Sequence, residues 1–196
     1  MKKEYKSLML KEDIAKLKQL QFDGQIFCIN TDKDLKTFLP KIKKNKILGF
    51  DTETKPNFVK GEANQNKVSL LQLSSFNEVF LIRLNNINSK KDIFKILASK
   101  KIKKIGLAVK DDIKGLQKLQ NFTPNNFIDL QQYTDEFGIE ANGLRNITGI
   151  VLNKRLSKAQ RLSNWENDTL QEGQKLYAAT DAWICLKIYN TLNENK

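Results

Sequence analysis

The chain has 196 residues, a length typical of one domain with a buried core. Lys and Arg total 34 against 22 Asp and Glu, and this net charge of +12 favours a polyanionic partner such as nucleic acid or an acidic membrane surface, although a lysine-rich solvated surface gives the same excess. Histidine is absent, which excludes Ser-His-Asp and Cys-His catalysis, His-ligated zinc and histidine general bases.

The glycine pattern argues against a nucleotide cofactor. No two glycines are separated by a single residue, so the sequence has no GxGxxG dinucleotide loop. Gly138 and Gly143 have the spacing of a phosphate loop, but Leu144 and Arg145 follow where Lys and then Ser or Thr are required. We therefore expect no nucleotide cofactor and no ATP-driven chemistry.

No segment has the pattern of a leader or a membrane span. Charges are scattered through residues 1–20, where a signal peptide has a continuous apolar core, and no later stretch is long and apolar enough to span a membrane. Cys28 and Cys185 are far apart in apolar surroundings, which favours buried thiols over a disulfide. These features predict a soluble, cytoplasmic protein with no membrane association.

Apolar periodicity predicts an alternation of strands and helices. The predicted elements are a helix over 8–20, a strand at 25–29, a helix from the Thr31 cap to about 44, a strand at 46–50, a hairpin of 68–73 and 78–84, a helix opened by a Ser89–Asp92 capping box, a strand at 103–109, a helix from Asp111 or Asp112 to before Pro124, a strand at 127–128, and then helices with a polar loop around 156–168. This order predicts an α/β fold with a mixed central sheet flanked by helices.

Carboxylates follow two of the predicted strands. Asp51 and Glu53 are two residues apart at a strand end, so they share one face of the sheet about 6.6 Å apart along the strand. This spacing suits two carboxylates that share metal ions, although an acidic pair can also be the polar start of a loop.

A second acidic pair follows the strand at 103–109. Asp111 and Asp112 stand where a helix begins, and either can serve as its N-cap. The two residues can also have separate roles, with Asp111 capping the helix and Asp112 facing the carboxyl edge of the sheet, where ligands bind in open α/β folds.

The final helix carries a third candidate pair. Tyr177 and Asp181 are four residues apart, so their side chains lie on one helix face. Ala178 and Ala179 keep the neighbouring surface small, which suits close packing on the sheet. Taken alone, the pair also fits a core tyrosine beside a solvated carboxylate.

Together the motifs that contain these residues resemble those of a known enzyme family. FDTET, GLAVKDD and YAATDA resemble exonuclease motifs one to three of the DEDD superfamily, in its tyrosine-containing subgroup. RLSNW at 161–165 followed by QKLYAATDAW is similar to the exonuclease domain of the Werner syndrome helicase, and ribonuclease D and the proofreading domain of family A DNA polymerases resemble the chain more distantly. The resemblance covers roughly residues 25–192 in the right order.

The resemblance implies a ribonuclease H-like exonuclease fold and a metal-dependent 3′-5′ exonuclease. Such an enzyme hydrolyses phosphodiester bonds at the free 3′ end of DNA or RNA and releases nucleoside 5′-monophosphates. The catalytic residues implied are Asp51, Glu53, Asp112, Tyr177 and Asp181, of which the four carboxylates are the metal ligands.

The resemblance also implies a role for each residue. Asp51 bridges two metals, and Glu53 and Asp181 bind the metal beside the attacking water. Asp112 holds the second metal, and Tyr177 orients the water.

The family pattern and general chemistry refine this set. A leucine stands four residues after the family's aspartate, and Leu116 selects Asp112 over Asp111. Crowded carboxylates without His or Cys suit two Mg²⁺ or Mn²⁺ ions better than zinc. Two such ions also explain hydrolysis by a chain that lacks histidine.

Nucleic acid is expected to lie near these motifs. The lysine runs at 41–46 and 100–104 precede their strands, so they belong to the opposite edge of the sheet. Trp165 is expected to pack on the last helix rather than to stack on a base. The expected nucleic-acid contacts are Thr52, Thr54, Lys55, Lys110, Lys158 and Arg161.

The chain is expected to form a single domain over 1–196, with an N-terminal helical extension at 1–24 and the catalytic fold at 25–192. Two alternatives remain open: a ribonuclease H-like endonuclease and a catalytically inactive nucleic-acid-binding module. The sequence identifies no protein partner.

Overall fold

The computed structural model describes residues 4–57, 66–157, 159–160 and 162–195. Its centre is a six-stranded mixed sheet with the strand order β1-β4-β3-β2-β5-β6. The strands are β1 Gln25–Ile29, β2 Ile47–Thr54, β3 Val68–Ser74, β4 Glu78–Arg83, β5 Lys103–Gly106 and β6 Phe127–Asp129. β3 is antiparallel to β2 and β4, whereas β1–β4, β2–β5 and β5–β6 are parallel pairs. The predicted mixed sheet and its hairpin are confirmed.

Helices cover both faces of this sheet. They are α1 Lys11–Lys16, α2 Asp32–Lys43, α3 Lys91–Leu97, α4 Val109–Gln117, α5 Leu130–Asp135, α6 Leu144–Leu152 and α7 Glu172–Glu194. One apolar core joins the sheet to α5, α6 and α7, and a second joins it to α2, α3 and α4. Cys28 and Cys185 are both free thiols, as predicted.

Glycine allows the long helix α7 to lie very close to the sheet. A Cβ built on Gly49 of β2 would stand 2.0 Å from the carbonyl oxygen of Ala182 in α7, a separation that no side chain can occupy. Asp181 directly precedes Ala182 in the chain. The close approach therefore places the acidic turn of α7 against the acidic end of β2.

Three local predictions were wrong. The first helix is α1 Lys11–Lys16 rather than 8–20, because its chain leaves the helix at Leu17 and pairs Gln19 with Arg155. The Ser89–Asp92 capping box does not form, because the backbone N–H of Ser89 donates to Asp32 and the side chain of Asp92 pairs with Lys95.

The third error concerns the strand predicted at 103–109. It ends at Gly106, and α4 begins at Val109 after Ala108 adopts a positive φ of 52°. The Asp129 carboxylate accepts the backbone N–H groups of Ala108 and Val109 at 2.9 and 3.0 Å. Asp111 is therefore not the cap of this helix, and its exposed side chain pairs with Lys114.

Among the described residues, no helix combines the length and apolar character needed to cross a bilayer.

Candidate active site

Three carboxylates meet where β2 faces α7. Asp51 and Glu53 extend from the same face of β2, and Asp181 reaches them from α7. Each offers one oxygen, and the three oxygens lie within 4.8 Å of one another. All three side chains are half-buried, so water does not fully screen their mutual repulsion.

Asp112 lies beside this group rather than in it. It stands in the first turn of α4, and its carboxylate accepts a hydrogen bond from the Thr52 hydroxyl at 2.5 Å. Thr52 lies between Asp51 and Glu53 on β2. The sequence thus brings all four predicted carboxylates to one edge of the sheet, with Asp112 tied to β2 through Thr52.

Tyr177 completes the group on the α7 side. It is half-buried one turn before Asp181, and its ring lies 6.1 Å, centroid to centroid, from that of fully buried Trp165. Trp165 therefore packs against α7, as expected from the sequence.

Burial and mutual repulsion disfavour the charged forms of these carboxyls. Burial, followed by Glu53 and Asp181, raises the pKa of Asp51 well above its ordinary value. Burial and Asp181 raise the pKa of Glu53 to about 9. Burial raises the pKa of Asp181 to about 7, against the opposing contact with the Tyr177 hydroxyl.

The same causes act on the other two groups of the site. Burial raises the pKa of Asp112 to about 6, although the hydrogen bond from Thr52 favours its charged form. Burial and the charges of Asp181 and Glu53 raise the pKa of Tyr177. Every titratable group of the cluster therefore carries more protons than it would in water.

Comparison with known proteins shows the family to which this chain belongs. A 3′-5′ exonuclease family model matches residues 26–195, which is most of the chain. The chain belongs to the 3′-5′ exonuclease family. The relatives include the bifunctional 3′-5′ exonuclease/ATP-dependent helicase WRN of Mus musculus, which is 32% identical over 158 residues, or 78% of this chain and 11% of the mouse protein. The chain spans no more than 40% of the length of the first curated relatives that it matches.

Solved structures support the fold of this exonuclease domain. The Aedes aegypti Nibbler EXO domain has a TM-score of 0.77 at 24% identity, with 90% of this chain and 91% of that chain covered. Trypanosoma brucei RNase D in complex with RNA U12 has a TM-score of 0.79 at 19% identity, with 89% and 64% covered. These likenesses confirm the ribonuclease H-like exonuclease fold.

The donor set of the exonuclease site fits divalent metal ions. It consists of carboxylate oxygens, and it contains neither His nor Cys as a ligand. Burial raises the pKa of all these carboxyls, and neighbouring carboxylates add to this for Asp51 and Glu53, so the group gains most from a compensating cation. Hard oxygen donors of this kind prefer Mg²⁺ or Mn²⁺.

This electrostatic strain predicts a pH-dependent stability. The raised pKa values of Glu53 and Asp181 mean that the folded chain binds more protons than the unfolded chain above about pH 4, so the free energy of unfolding must fall as pH rises. Between pH 6 and 8 we expect a loss of about 2 kcal/mol or more, or about 4–8 °C in melting temperature, for the metal-free protein. Thermal unfolding followed by circular dichroism measures it.

Two comparisons check the cause of this loss. Millimolar Mg²⁺ or Mn²⁺ should abolish most of it, and Asp51→Asn should reduce it in the absence of metal. The pH range of the measurement ends at 8 because of Lys104. Burial lowers the pKa of Lys104 to about 8, so the loss of its proton in the folded chain adds a stabilising contribution at higher pH that opposes the effect of the carboxylates. An equal loss in the wild type and Asp51→Asn would show that the carboxylate cluster is not its source.

The predicted nucleic-acid contacts have different surroundings. The hydroxyl of Thr52 already donates a hydrogen bond to Asp112, and Lys55 forms a 3.4 Å ion pair with Glu166. Thr54 is half-buried at a register shift at the end of β2. Lys110 is exposed in the first turn of α4. Lys158 and Arg161 lie outside the described residues, so their expected contacts stay predictions.

The sequence analysis missed two residues next to the site. Asp129 ends β6 and caps α4, and the signal that singled out Asp112, an acid after an apolar strand, also applies to it. Gln72 of β3 pairs in register with Asp51, and its fully buried amide has no hydrogen-bond partner among the described residues. No sequence pattern separates Gln72 from a polar residue of an exposed strand.

Proposed function

We propose that this chain hydrolyses the phosphodiester bond at the free 3′ end of a DNA or RNA strand and releases nucleoside 5′-monophosphates. The observation that carries the proposal is the meeting of Asp51, Glu53 and Asp181 within 4.8 Å in a member of the 3′-5′ exonuclease family. The choice between DNA and RNA is left open, because the description of the family names a 3′-5′ exonuclease without a substrate and the RNA complex belongs to a structural neighbour at 19% identity.

The cofactor in this proposal is a pair of Mg²⁺ or Mn²⁺ ions. Asp51, Glu53 and Asp181 are the ligands that the geometry offers, and Asp112 is the fourth carboxylate at the same edge. When bound, such ions lower the pKa of water and stabilise charge on the attacking and leaving oxygens.

The side chains contribute position and charge. The charges of Glu53, Asp181 and Asp112 all act on the Asp51 carboxyl, so Asp51 is the carboxylate best placed to be shared. Thr52 fixes the Asp112 carboxylate by its hydrogen bond. The Tyr177 hydroxyl, whose pKa is raised, is protonated at neutral pH and can donate a hydrogen bond to water or to a phosphate oxygen.

The partner in the proposal is nucleic acid. A net charge of +12 attracts a polyanion, and the RNA held by Trypanosoma brucei RNase D supports a strand bound to this fold. A cytoplasmic location and the division at residue 25 into extension and catalytic fold stay predictions.

The test is a product analysis with labelled strands. Linear single-stranded DNA and RNA, labelled at either end, should be shortened from the 3′ end with release of nucleoside 5′-monophosphates, and EDTA should abolish the reaction. A circular single strand is the control for internal cutting, and it should stay intact. Cleavage of the circle would establish an endonuclease, and binding without any hydrolysis in Mg²⁺ or Mn²⁺ would establish an inactive binding module.

A further inference from the structure

A cleft of about 470 Å³ opens directly beside Tyr177 and Asp181. This volume is within the range of sites that hold small organic ligands, about 300–1,000 Å³. Its other walls are the start of α6, including Leu144 and Arg145, and part of the N-terminal segment, which we define as residues 4–20. The N-terminal segment precedes the residues that match the family, 26–195.

The N-terminal segment is fixed to α6 by specific contacts. The side chain of Asn146 accepts from the backbone N–H of Met9 at 3.1 Å and donates to the carbonyl oxygen of Met9 at 2.7 Å. The carbonyl oxygen of Ser7 accepts from the backbone N–H of Glu140. A Cβ on Gly149 would stand 3.0 Å from the sulfur of Met9, so glycine allows this close packing. The cleft wall is therefore held in place rather than formed by a free terminus.

The wall offers both apolar and cationic groups. Leu8 lines the cleft and 57% of its surface is exposed, so its apolar side chain is available to a ligand in the cleft. Lys11 and Arg145 also line the cleft, and neither forms an ion pair within the described part of the chain. Arg145 is anchored through Nε to the carbonyl oxygen of Leu156 at 3.3 Å.

We infer that the N-terminal segment forms one wall of a subsite for a nucleotide of the bound strand, beside the phosphodiester that is cleaved. The apolar surface of Leu8 suits a base, and the cations of Lys11 and Arg145 suit the adjoining phosphate. Continuity of the cleft with Tyr177 and Asp181 selects a nucleotide of the substrate over an unrelated ligand. This inference rests on the proposed function, and it assigns the N-terminal segment to the substrate site.

The test is the affinity for a 5′-fluorescein-labelled single-stranded oligonucleotide, measured by fluorescence anisotropy in EDTA so that the strand is not consumed. Leu8→Ala and Lys11→Ala should each raise Kd about 3- to 10-fold. Lys11→Ala should also reduce the slope of log affinity against log salt by about 0.7, the contribution of one phosphate contact on a single strand.

The same segment supplies matched controls. Leu10 is exposed to 63% but does not line the cleft, and Lys16 pairs with Asp13 on α1. Leu10→Ala and Lys16→Ala should leave Kd within about 2-fold of the wild type. Equal melting temperatures in all four variants would show that the fold is unchanged.

Each outcome decides the inference. Wild-type affinity in Leu8→Ala and Lys11→Ala overturns it, and so does equal weakening in the two controls or a wild type that does not bind. The product analysis of the wild type separates this result from the proposed function. Release of monophosphates with unchanged affinity in the variants rejects only the subsite, whereas no hydrolysis by the wild type rejects the proposed function.

Discussion

Asp51→Asn is expected to lower kcat on a linear single strand by about 10³-fold or more. The oxygens of Asp51, Glu53 and Asp181 lie within 4.8 Å of one another, and the charges of Glu53, Asp181 and Asp112 all act on the Asp51 carboxyl. The amide has nearly the same shape but no negative charge, so it is a poor metal ligand. A steady-state assay of 3′-end release in Mg²⁺ and in Mn²⁺ measures the change.

This substitution should not destabilise the fold. Removing one of three repelling carboxyls relieves electrostatic strain, so metal-free Asp51→Asn should melt at or above the wild-type temperature at pH 8. Asp111→Asn is a matched control, because its exposed carboxylate pairs with Lys114 and is next to Asp112 in the chain. Near-wild-type activity in folded Asp51→Asn would contradict the assignment of this carboxylate to the catalytic centre.

Local periodicity predicted the parts of the site that depend on a single element. The alternation of side chains along β2 placed Asp51 and Glu53 on one face, and the helical repeat placed Tyr177 and Asp181 together on α7. The meeting of these two pairs depends on the close approach of α7 at Gly49, which is a long-range contact. The family resemblance supplied that part of the prediction.

Contacts between distant residues explain what sequence patterns did not predict. The start of α4 is set by Asp129, twenty residues further along the chain than Val109, so the local capping rule, which offered Asp111 or Asp112, could not find the group that caps this helix. The first helix ends early because Gln19 pairs with Arg155. In each case a tertiary hydrogen bond determined the boundary and competed successfully with local propensity.

The wall of the cleft was hidden from sequence reasoning for the same reason. Leu8 and Lys11 belong to a segment that was predicted as a helical extension, and long-range contacts such as those of Met9 with Asn146 bring it to the cleft. The spacing of 137 residues between these partners leaves no local trace. A single sequence therefore predicts the carboxylates of the candidate site better than it predicts the surfaces around them.

Tyr177→Phe is expected to lower kcat by about 10- to 10³-fold while the metal-induced rise in melting temperature survives. The phenylalanine ring retains the packing on Trp165, so the carboxylates keep their positions. The lost hydroxyl is the only part of the side chain that can donate a hydrogen bond near Asp181. Single-turnover kinetics at saturating enzyme measures the change in the chemical step.

A second tyrosine provides the control for loss of a hydroxyl. The Tyr133 hydroxyl donates to Asn193 at 2.6 Å, about three turns along α7 from Asp181, so Tyr133→Phe removes a hydrogen bond away from the site. Tyr133→Phe should therefore keep kcat within about 2-fold of the wild type, with a small loss of stability of about 1 kcal/mol. Equal rates in Tyr177→Phe and Tyr133→Phe would reduce Tyr177 to a packing residue, because the hydroxyl would then have no share in catalysis, and the carboxylate assignments would be unaffected.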